Sequence, residues 1–484
     1  FWRSVSGLGL ALLLALGAPV AVAVAETSAA TPAVSPAVAS DGPCENAIER
    51  DERLKTLSLI ADCRMYGGFV IPDGWTVDGR DHTVLLTDPA GGRFTGGALV
   101  ADGGTVTIRD IAIDGAGLTP GCADDEPLAA IAFVHASGEI RGVTIDRIHR
   151  GENMRCGLGI LVTGDAPAPV VIADSIVRDA GDAAVDVLAG ASVSLTGTAV
   201  ASSRSVVGVR VRSGASVTIG PRSAVLDGWY AVAVNGEDSR LTLDHSSIGG
   251  AMTALELTGG ASADLIDAGV FSSAFGITAE NPGKLAIHDG SIFRHLTIGI
   301  MAIGPGGSLD IDGARFEQIG ETGVTTMNLD HAAIRGSQFS GIGDKPWDMA
   351  VGLQLAIGND AAVEDNTFLD TARAVEADGP GGTVRVAGNT IDRTLFAAIS
   401  ATGGLQTEIV DNAITAPAAI DPQTRAIRIT GAVAGAIRDN IISGYDAPAQ
   451  CVVEIDPASA VTGGQNTFAA AGAAQNWCGP LRSS

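Results

Sequence analysis

Lysine is nearly absent from this chain, and basic residues as a group are scarce. The only lysines are Lys55, Lys284 and Lys345, and 55 acidic residues outnumber 30 basic ones, which leaves a formal net charge of −25. Nucleic acids bind proteins through basic surfaces, so this composition excludes nucleic acid as an expected partner. An acidic polysaccharide is also repelled overall, and would need a local arginine cluster or a bound cation.

The sequence also lacks the short motifs of several common chemistries. No Cys-x-x-Cys occurs and the 7 histidines are scattered, so no metal site is expected for zinc or copper. Neither a phosphate-binding loop nor a Ser-His-Asp elbow appears. No cofactor is expected. The one alternative is a calcium ion that bridges the protein to an acidic sugar.

Long apolar runs are absent after the first 25 residues. Residues 1–25 combine Arg3, an apolar stretch and a terminal Ala-Val-Ala, which predicts a signal peptide cleaved after Ala25. A membrane anchor is the alternative, although residues 8–25 are barely long enough to span a bilayer. Residues 26–42, rich in Ala, Ser, Thr and Pro, predict a disordered spacer. The mature protein is therefore expected in the periplasm or outside the cell, as a monomer without a membrane span.

What the chain does contain is a degenerate repeat. The block AAVEDNTFLDTARAVEADGPGG, from Ala361 to Gly382, aligns with TVRVAGNTIDRTLFAAISATGG, from Thr383 to Gly404. Earlier blocks recur every 22 to 24 residues, starting at Ser192, Ser216, Arg240, Ser262, Lys284 and Ser308. A fixed period in this range is typical of stacked solenoids. Short β-branched runs between turns favour strands over helices.

Apolar and polar residues alternate within each block, as in Leu353-Gln354-Leu355. Alternation places the apolar side chains of a strand on one face. A single coil cannot bury that face, so coils stacked about 4.8 Å apart are expected to share one apolar column. The neighbouring residues should form an exposed polar column, which includes Gln354, Glu376, Ser400 and Arg428.

An asparagine recurs at one place in the later coils, at Asn366, Asn389, Asn412 and Asn440. Asparagine tolerates left-handed backbone and bonds locally to the main chain. We therefore interpret these residues as an internal ladder of turn side chains rather than as a ligand site.

The repeat resembles the right-handed parallel β-helix proteins of the pectate-lyase-like superfamily, and within it the carbohydrate-binding and sugar-hydrolase repeat type. The segments that carry the resemblance are VDGRDHTVLL (Val77 to Leu86), VEDNTFLD (Val363 to Asp370), VAGNTIDRT (Val386 to Thr394) and IRDNIISG (Ile437 to Gly444). The resemblance covers about Phe69 to Phe468 and implies an all-β, right-handed parallel β-helix. The catalytic signatures of polygalacturonases and mannuronan epimerases are missing, which leaves the activity open.

The domain prediction follows from these observations. Residues 43–66 carry an apolar spacing that predicts an N-terminal α-helical cap over the first coil, and residues 67–484 form the β-helix with its C-terminal tail. Six cysteines behind a secretion signal predict disulfides. The expected pairs are Cys44 with Cys63, Cys122 with Cys156, and Cys451 with Cys478.

The first candidate surface lies in mid-chain. The repeat places Asp186, Arg210 and Glu256 on the outward column, and the loop LDGWYA adds Trp229 and Tyr230. Aromatic rings can stack on sugars, so these five residues are predicted to bind substrate. The alternative is a solvated ladder of alternating charges.

The second candidate is the segment IDRIHRGE, where His149, Arg150 and Glu152 are catalytic candidates for lyase or C5-epimerase chemistry. The alternative is a salt-bridged pair of loops. The third is the long insertion SGIGDKPWDMA, which should bring Lys345 and Trp347 beside Glu376, with Arg425 and Tyr445 at the same corner. The alternative is a tolerated insertion.

These observations favour a secreted carbohydrate-binding or polysaccharide-modifying protein, with a polysaccharide or oligosaccharide as partner and lyase or epimerase activity if it is an enzyme. The resemblance contributes most to this hypothesis. The alternatives are a non-catalytic extracytoplasmic scaffold or surface protein and, third, a periplasmic maturation factor, which the scattered histidines disfavour.

Overall fold

The computed structural model describes residues 42–121, 128–151, 156–201, 206–343, 350–356, 360–418, 423–446, 451–469 and 475–481. These residues form an all-β parallel solenoid of about 16 turns, which confirms the solenoid prediction. Residues 1–41, with the predicted signal peptide and nearly all of the predicted spacer, lie outside the described residues.

Each coil contributes strands to three parallel sheets, here called A, B and C, which follow one another along the chain. The strands of sheet A are Phe69–Ile71, Gly96–Asp102, Leu128–Val134, Leu158–Thr163, Ala183–Leu188, Val207–Arg212, Tyr230–Asn235, Thr253–Thr258, Phe275–Glu280, Val351–Ala356, Arg373–Gly379, Ala397–Gly403, Arg425–Thr430, Cys451–Ile455 and Gln475–Cys478.

Sheet B has the strands Thr56–Leu59, Ser137–Arg141, Val170–Ala173, Ser192–Thr196, Ser216–Ile219, Arg240–Asp244, Ser262–Ile266, Lys284–Ile287, Ser308–Asp312, His331–Arg335, Asp360–Glu364, Thr383–Ala387, Gln406–Val410, Ala434–Arg438 and Ala460–Gly464. Sheet C has the strands Cys63–Met65, Thr144–Asp146, Ile176–Arg178, Ala199–Ala201, Ala224–Leu226, Ser247–Gly249, Gly269–Phe271, Gln338–Ile342, Thr367–Thr371, Thr390–Asp392, Ala413–Thr415, Ile441–Ser443 and Thr467–Ala469.

Four long strands bend around a corner and belong to two sheets. Thr76–Thr87 and Thr105–Gly117 run from sheet B into sheet C. Ile292–Ile303 and Arg315–Met327 run from sheet C into sheet A.

The inward and outward columns follow the predicted alternation. Leu353 pairs with Val375, and the column continues through Ile399 and Ile427, all at most 1% exposed. The outward column reads Gln354, Glu376, Ser400 and Arg428 in the same register. A residue therefore meets its repeat equivalent in the next coil.

Aromatic residues use this register inside the core. The rings of Phe293, Phe316, Phe339 and Phe368 stack with centroid separations of 4.7, 4.7 and 4.9 Å. These distances match the spacing of neighbouring parallel strands, about 4.8 Å. The repeat thus allows each buried phenylalanine to stack on the next.

The asparagine ladder is also present. Asn412 donates through Nδ2 to Asn440 Oδ1 at 2.9 Å and to the carbonyls of Val386 and Val410. Its Oδ1 accepts bonds from both nitrogens of Asn389 at 2.9 and 3.0 Å. Asn366 precedes this series and Asn466 ends it, so the ladder links five successive coils. The structure confirms that these asparagines are buried turn residues.

The predicted N-terminal helical cap is wrong. Residues 43–66 hold a short 3₁₀ helix, Cys44–Asn46, and an antiparallel hairpin of Ile48–Asp51 with Thr56–Leu59. Asp51 Oδ1 accepts the backbone N–H groups of Arg53 and Leu54 at 2.9 Å, an Asx turn that competes with helix formation. The hairpin pairs with Thr76–Asp78 and so covers the first coil.

Disulfides hold both ends of the solenoid. Cys44 pairs with Cys63, and Cys451 with Cys478, as predicted. Cys156 is also disulfide-bonded, but its predicted partner Cys122 lies outside the described residues. In the described part of the chain, no helix has the length and apolar character needed to cross a membrane.

Asn412→Ala tests the ladder. Substitution removes the partners of two buried carbonyls and of the Asn389 amide, and each buried polar group left unpaired costs about 1–3 kcal/mol. We expect the free energy of unfolding, measured with guanidinium and circular dichroism, to fall by about 3 kcal/mol.

Asn466→Ala is the matched control, because Asn466 ends the ladder and is only partly buried, so water can replace its bonds. Equal losses in the two variants would contradict the idea that burial of the ladder stabilises the coils.

Candidate functional site

The outward face of sheet A brings the mid-chain candidates together. Asp186 pairs with Arg210, Arg210 with Ala233, and Ala233 with Glu256 in consecutive strands. Asp186 and Glu256 are thus three coils apart in one column, a separation of about 14 Å. Tyr230 begins the strand that carries Ala233, and Trp229 precedes it.

Asp186 is the centre of a buried ion network. Its side chain is 1% exposed and accepts hydrogen bonds from Arg210 Nε at 3.0 Å and from Arg212 Nη2 at 3.0 Å. Arg210 also donates to both carboxylate oxygens of Asp182, at 3.1 and 2.7 Å. The arginine therefore joins two carboxylates and is 20% exposed.

The network fixes the charge of its members. Burial on its own raises the pKa of Asp186, but hydrogen bonds from Arg210 and Arg212 outweigh it, so the pKa lies below its ordinary value. Burial on its own lowers the pKa of Arg210, but the hydrogen bonds to Asp186 and Asp182 outweigh burial, so the pKa lies above its ordinary value. Both groups stay ionised at neutral pH, so Asp186 is not suited to proton transfer.

Tyr230 lies on a small apolar platform outside the main core. Ala183, Val207 and Ala233 form a separate buried cluster, and Tyr230 packs against it together with Leu158 and Val206. Burial, followed by the charge and hydrogen bonding of Glu256, raises the pKa of the Tyr230 hydroxyl. The ring is thus held in place while its hydroxyl faces Glu256.

Trp229 is the exposed aromatic of this surface, with 57% of the residue accessible. The turn before it has Asp227 and Gly228 with φ of 67° and 89°, in the left-handed region that glycine adopts without strain. The Trp229 carbonyl accepts the Thr253 N–H at 3.0 Å. Its backbone is fixed to the next coil, and the side chain is open to solvent.

The second candidate cluster is largely internal. Arg150 is 1% exposed and forms a bidentate pair with Asp88 at 2.9 and 3.0 Å, with further bonds to the carbonyls of Phe94 and Thr119. His149 Nε2 lies 3.5 Å from Asp179 Oδ2. Glu152 lies outside the described residues. The described geometry favours the alternative of a salt-bridged loop pair.

The third candidate surface is described only in part, because Lys345 and Trp347 lie outside the described residues. Glu376 contacts Arg373 at 3.4 Å, and the Arg373 guanidinium lies 5.5 Å from the ring centre of Phe396. Arg425 Nε lies 3.3 Å from Glu454 Oε2.

Tyr445 does not line that surface as predicted. It is 2% exposed, and burial raises the pKa of its hydroxyl. Its aromatic ring completes the apolar core, which is the reason for its inward position.

Two acidic partners were missed by the sequence analysis. Asp182 and Asp88 lie in turns rather than on the outward columns. Asp182 binds Arg210 of the next coil, and Asp88 binds Arg150 two coils further along. No periodic signal marks them, because turn lengths vary from coil to coil. Among the described residues, no group of His, Cys, Asp and Glu is arranged to hold a metal ion.

No family model matches this sequence, and no curated protein matches it. One similar solved structure is the periplasmic alginate epimerase AlgG, 9% identical, with a TM-score of 0.26 over 88% of this chain and 80% of that chain. PfbA, a surface adhesin of Streptococcus pneumoniae, is 11% identical, with a TM-score of 0.29 over 86% of this chain and 83% of that chain.

The catalytic unit of a GH87 α-1,3-glucanase from Streptomyces thermodiastaticus is 12% identical, with a TM-score of 0.28 over 92% of this chain and 70% of that chain. Identities and TM-scores this low carry no argument about the activity of this chain.

Asp186→Asn tests the ion network. The variant leaves Arg210 half-compensated in a buried position, so we expect the free energy of unfolding to fall by about 2–4 kcal/mol at pH 7. Asp182→Asn, at a side chain 30% exposed, is the control and should cost less.

The loss should also depend on pH. Because the folded pKa of Asp186 lies below its ordinary value of 3.8, its stabilisation is present above that pH and is lost as the pH falls through the folded pKa. The difference between parent and Asp186→Asn, measured by denaturant unfolding, should therefore narrow under acid. A constant difference down to strong acid would contradict this account.

Proposed function

We propose that the sheet A face around Trp229 and Tyr230 binds a carbohydrate chain without cleaving it. The observation that carries this proposal is an exposed tryptophan next to a packed tyrosine, with Arg210 and Glu256 at register positions on either side.

The aromatic pair suits the apolar faces of sugar rings. Exposing a tryptophan to water is unfavourable unless a partner covers it, and indole offers a wide apolar surface on which a sugar ring can stack. Tyr230 is held by its platform, so the surface is organised before a ligand arrives. Such preorganisation reduces the entropy lost on binding.

The charged residues supply orientation. Glu256 can accept hydrogen bonds from sugar hydroxyls, and it lies two strands from Arg210 in the same column. The arginine is already bound to two carboxylates, so its charge is largely compensated. A neutral oligosaccharide therefore fits this face better than an acidic one.

The described carboxylates favour binding over hydrolysis. Glycosidase carboxylates lie roughly 5–9.5 Å apart, whereas Asp186 and Glu256 are about 14 Å apart by strand spacing. Asp186 is also buried beneath two arginines. The raised pKa of Tyr230 keeps its hydroxyl protonated at neutral pH, so Tyr230 is not a ready general base there.

Lyase or epimerase chemistry at Arg150 has less support. A guanidinium that is 1% exposed and bound to Asp88 is not placed to meet a sugar. The scaffold alternative predicts no ligand at all, and a binding experiment separates it from the proposal.

Trp229→Ala tests the binding surface. When neutral gluco-, manno- and xylo-oligosaccharides are immobilised separately, we expect at least one of these classes to retain the parent protein. Losing a central aromatic contact costs about 1–3 kcal/mol, so the dissociation constant should rise about 5- to 150-fold. The thermal unfolding midpoint should not change, because the side chain is exposed.

Phe396→Ala is the matched control. Phe396 is 38% exposed and precedes a sheet A strand as Trp229 does, in a coil about 34 Å away by strand spacing. Its loss should leave binding unchanged. Absence of binding to every class, or equal loss in both variants, would defeat the proposed site.

A further inference from the structure

A second polar surface lies on sheet B, around the corner from Trp229. Arg240 pairs with Ser262, and Lys284 follows in the same column, with its N–H bonded to Ser262 Oγ at 3.0 Å. The next outward column holds Thr242, Asp264 and Ala286. The two long basic side chains therefore lie on either side of Ser262, next to a column of shorter side chains.

The charges of this pair are unusual for the chain. Most arginines in the described residues contact carboxylates, as Arg210 and Arg150 do. Within the described residues, Arg240 and Lys284 make no such ion pair, and both are exposed. In a protein of net charge −25, two cations without carboxylate partners on one face form a local site for an anion.

The two cations border a shallow cleft of about 430 Å³. Small-molecule sites are roughly 300–1,000 Å³, so a sugar residue fits this cleft. Small side chains at Ser262 and Ala286 leave the room between the longer ones. The Ser262 hydroxyl accepts the Lys284 N–H and keeps its own proton for a ligand.

Asp264 restricts the kind of anion. Its Oδ1 lies 2.7 Å from His288 Nε2, without the alignment of a hydrogen bond. The negative charge of Asp264 repels an anion held against it, whereas its oxygens accept hydrogen bonds from hydroxyl groups. A ligand with its charge at one end and hydroxyls at the other therefore suits the cleft better than sulfate or phosphate, which carry charge on every side. The cleft thus combines an anion-binding edge with a hydroxyl-binding edge.

We propose that this cleft binds an acidic sugar residue, with its carboxylate between Arg240 and Lys284 and its hydroxyls at Thr242, Ser262 and Asp264. The two cations stand two strands apart, about 9.6 Å, and their long side chains can converge on one carboxylate. The site does not depend on the sheet A surface.

Calorimetric titration of the protein with glucuronate, glucose and sulfate at constant ionic strength tests the proposal. We expect glucuronate to bind with a dissociation constant of about 1 mM, as suits a shallow open site. Glucose lacks the carboxylate and sulfate lacks hydroxyls, so each should bind at least fivefold more weakly. Failure of glucuronate to bind, or equal binding of sulfate, would overturn the proposal.

Variants locate the site. Arg240→Gln and Lys284→Gln should each weaken glucuronate binding at least fivefold. Arg294→Gln is the control, since Arg294 is an exposed arginine on sheet C without an ion pair in the described residues, and the change in charge is the same. If Arg294→Gln weakens binding equally, the effect is one of total charge and the site is refuted.

Two further variants separate the hypotheses. Asp264→Asn removes the repulsion, so it should strengthen sulfate binding and reduce the preference for glucuronate; an unchanged preference would contradict the role of Asp264. Trp229→Ala should leave glucuronate binding unchanged. If the Trp229→Ala variant loses binding of neutral sugars and keeps binding of glucuronate, the two sites are independent.

Discussion

The in-register stacking of coils is the constraint on which the rest of this structure depends. Parallel pairing at about 4.8 Å places each residue over its equivalent in the coil before. Apolar side chains then form one continuous core, phenylalanines stack face to face, and asparagines bond in series. The same rule brings charged residues of neighbouring coils together on the outside, as with Asp186 and Arg210 or Arg385 and Glu408.

Both ends of such a stack would expose unpaired strand edges and apolar surface. At the N-terminal end the antiparallel hairpin of Ile48–Asp51 and Thr56–Leu59 lies on the first coil, and the disulfide of Cys44 and Cys63 holds it. At the other end, the side chains of Trp477 and Leu481 lie over Gly463, where an added Cβ would come within 3.1–3.3 Å of them. These coverings disfavour end-to-end pairing with another chain.

Periodicity explains what could be predicted from the sequence. The columns of Leu353 and Gln354, the asparagine ladder and the alignment of Asp186, Arg210 and Glu256 follow from a repeat of constant phase. Local and irregular features could not be predicted in the same way. The Asx turn at Asp51 replaced a helix, Tyr445 turned inward, and Asp182 and Asp88 bind arginines from turns of variable length.

Electrostatics then connects stability with recognition. Arg210, Arg385 and Arg393 each bind a carboxylate of a neighbouring coil, so each of these positive charges is offset by an acidic residue. The positive charge of an arginine in such an ion pair is largely compensated, so the arginine attracts an anionic ligand only weakly. The cations that are not used in this way are the ones available for binding, and Arg240 and Lys284 share a cleft. In a chain this acidic, the pattern of pairing, rather than the number of basic residues, therefore indicates where an anion can bind.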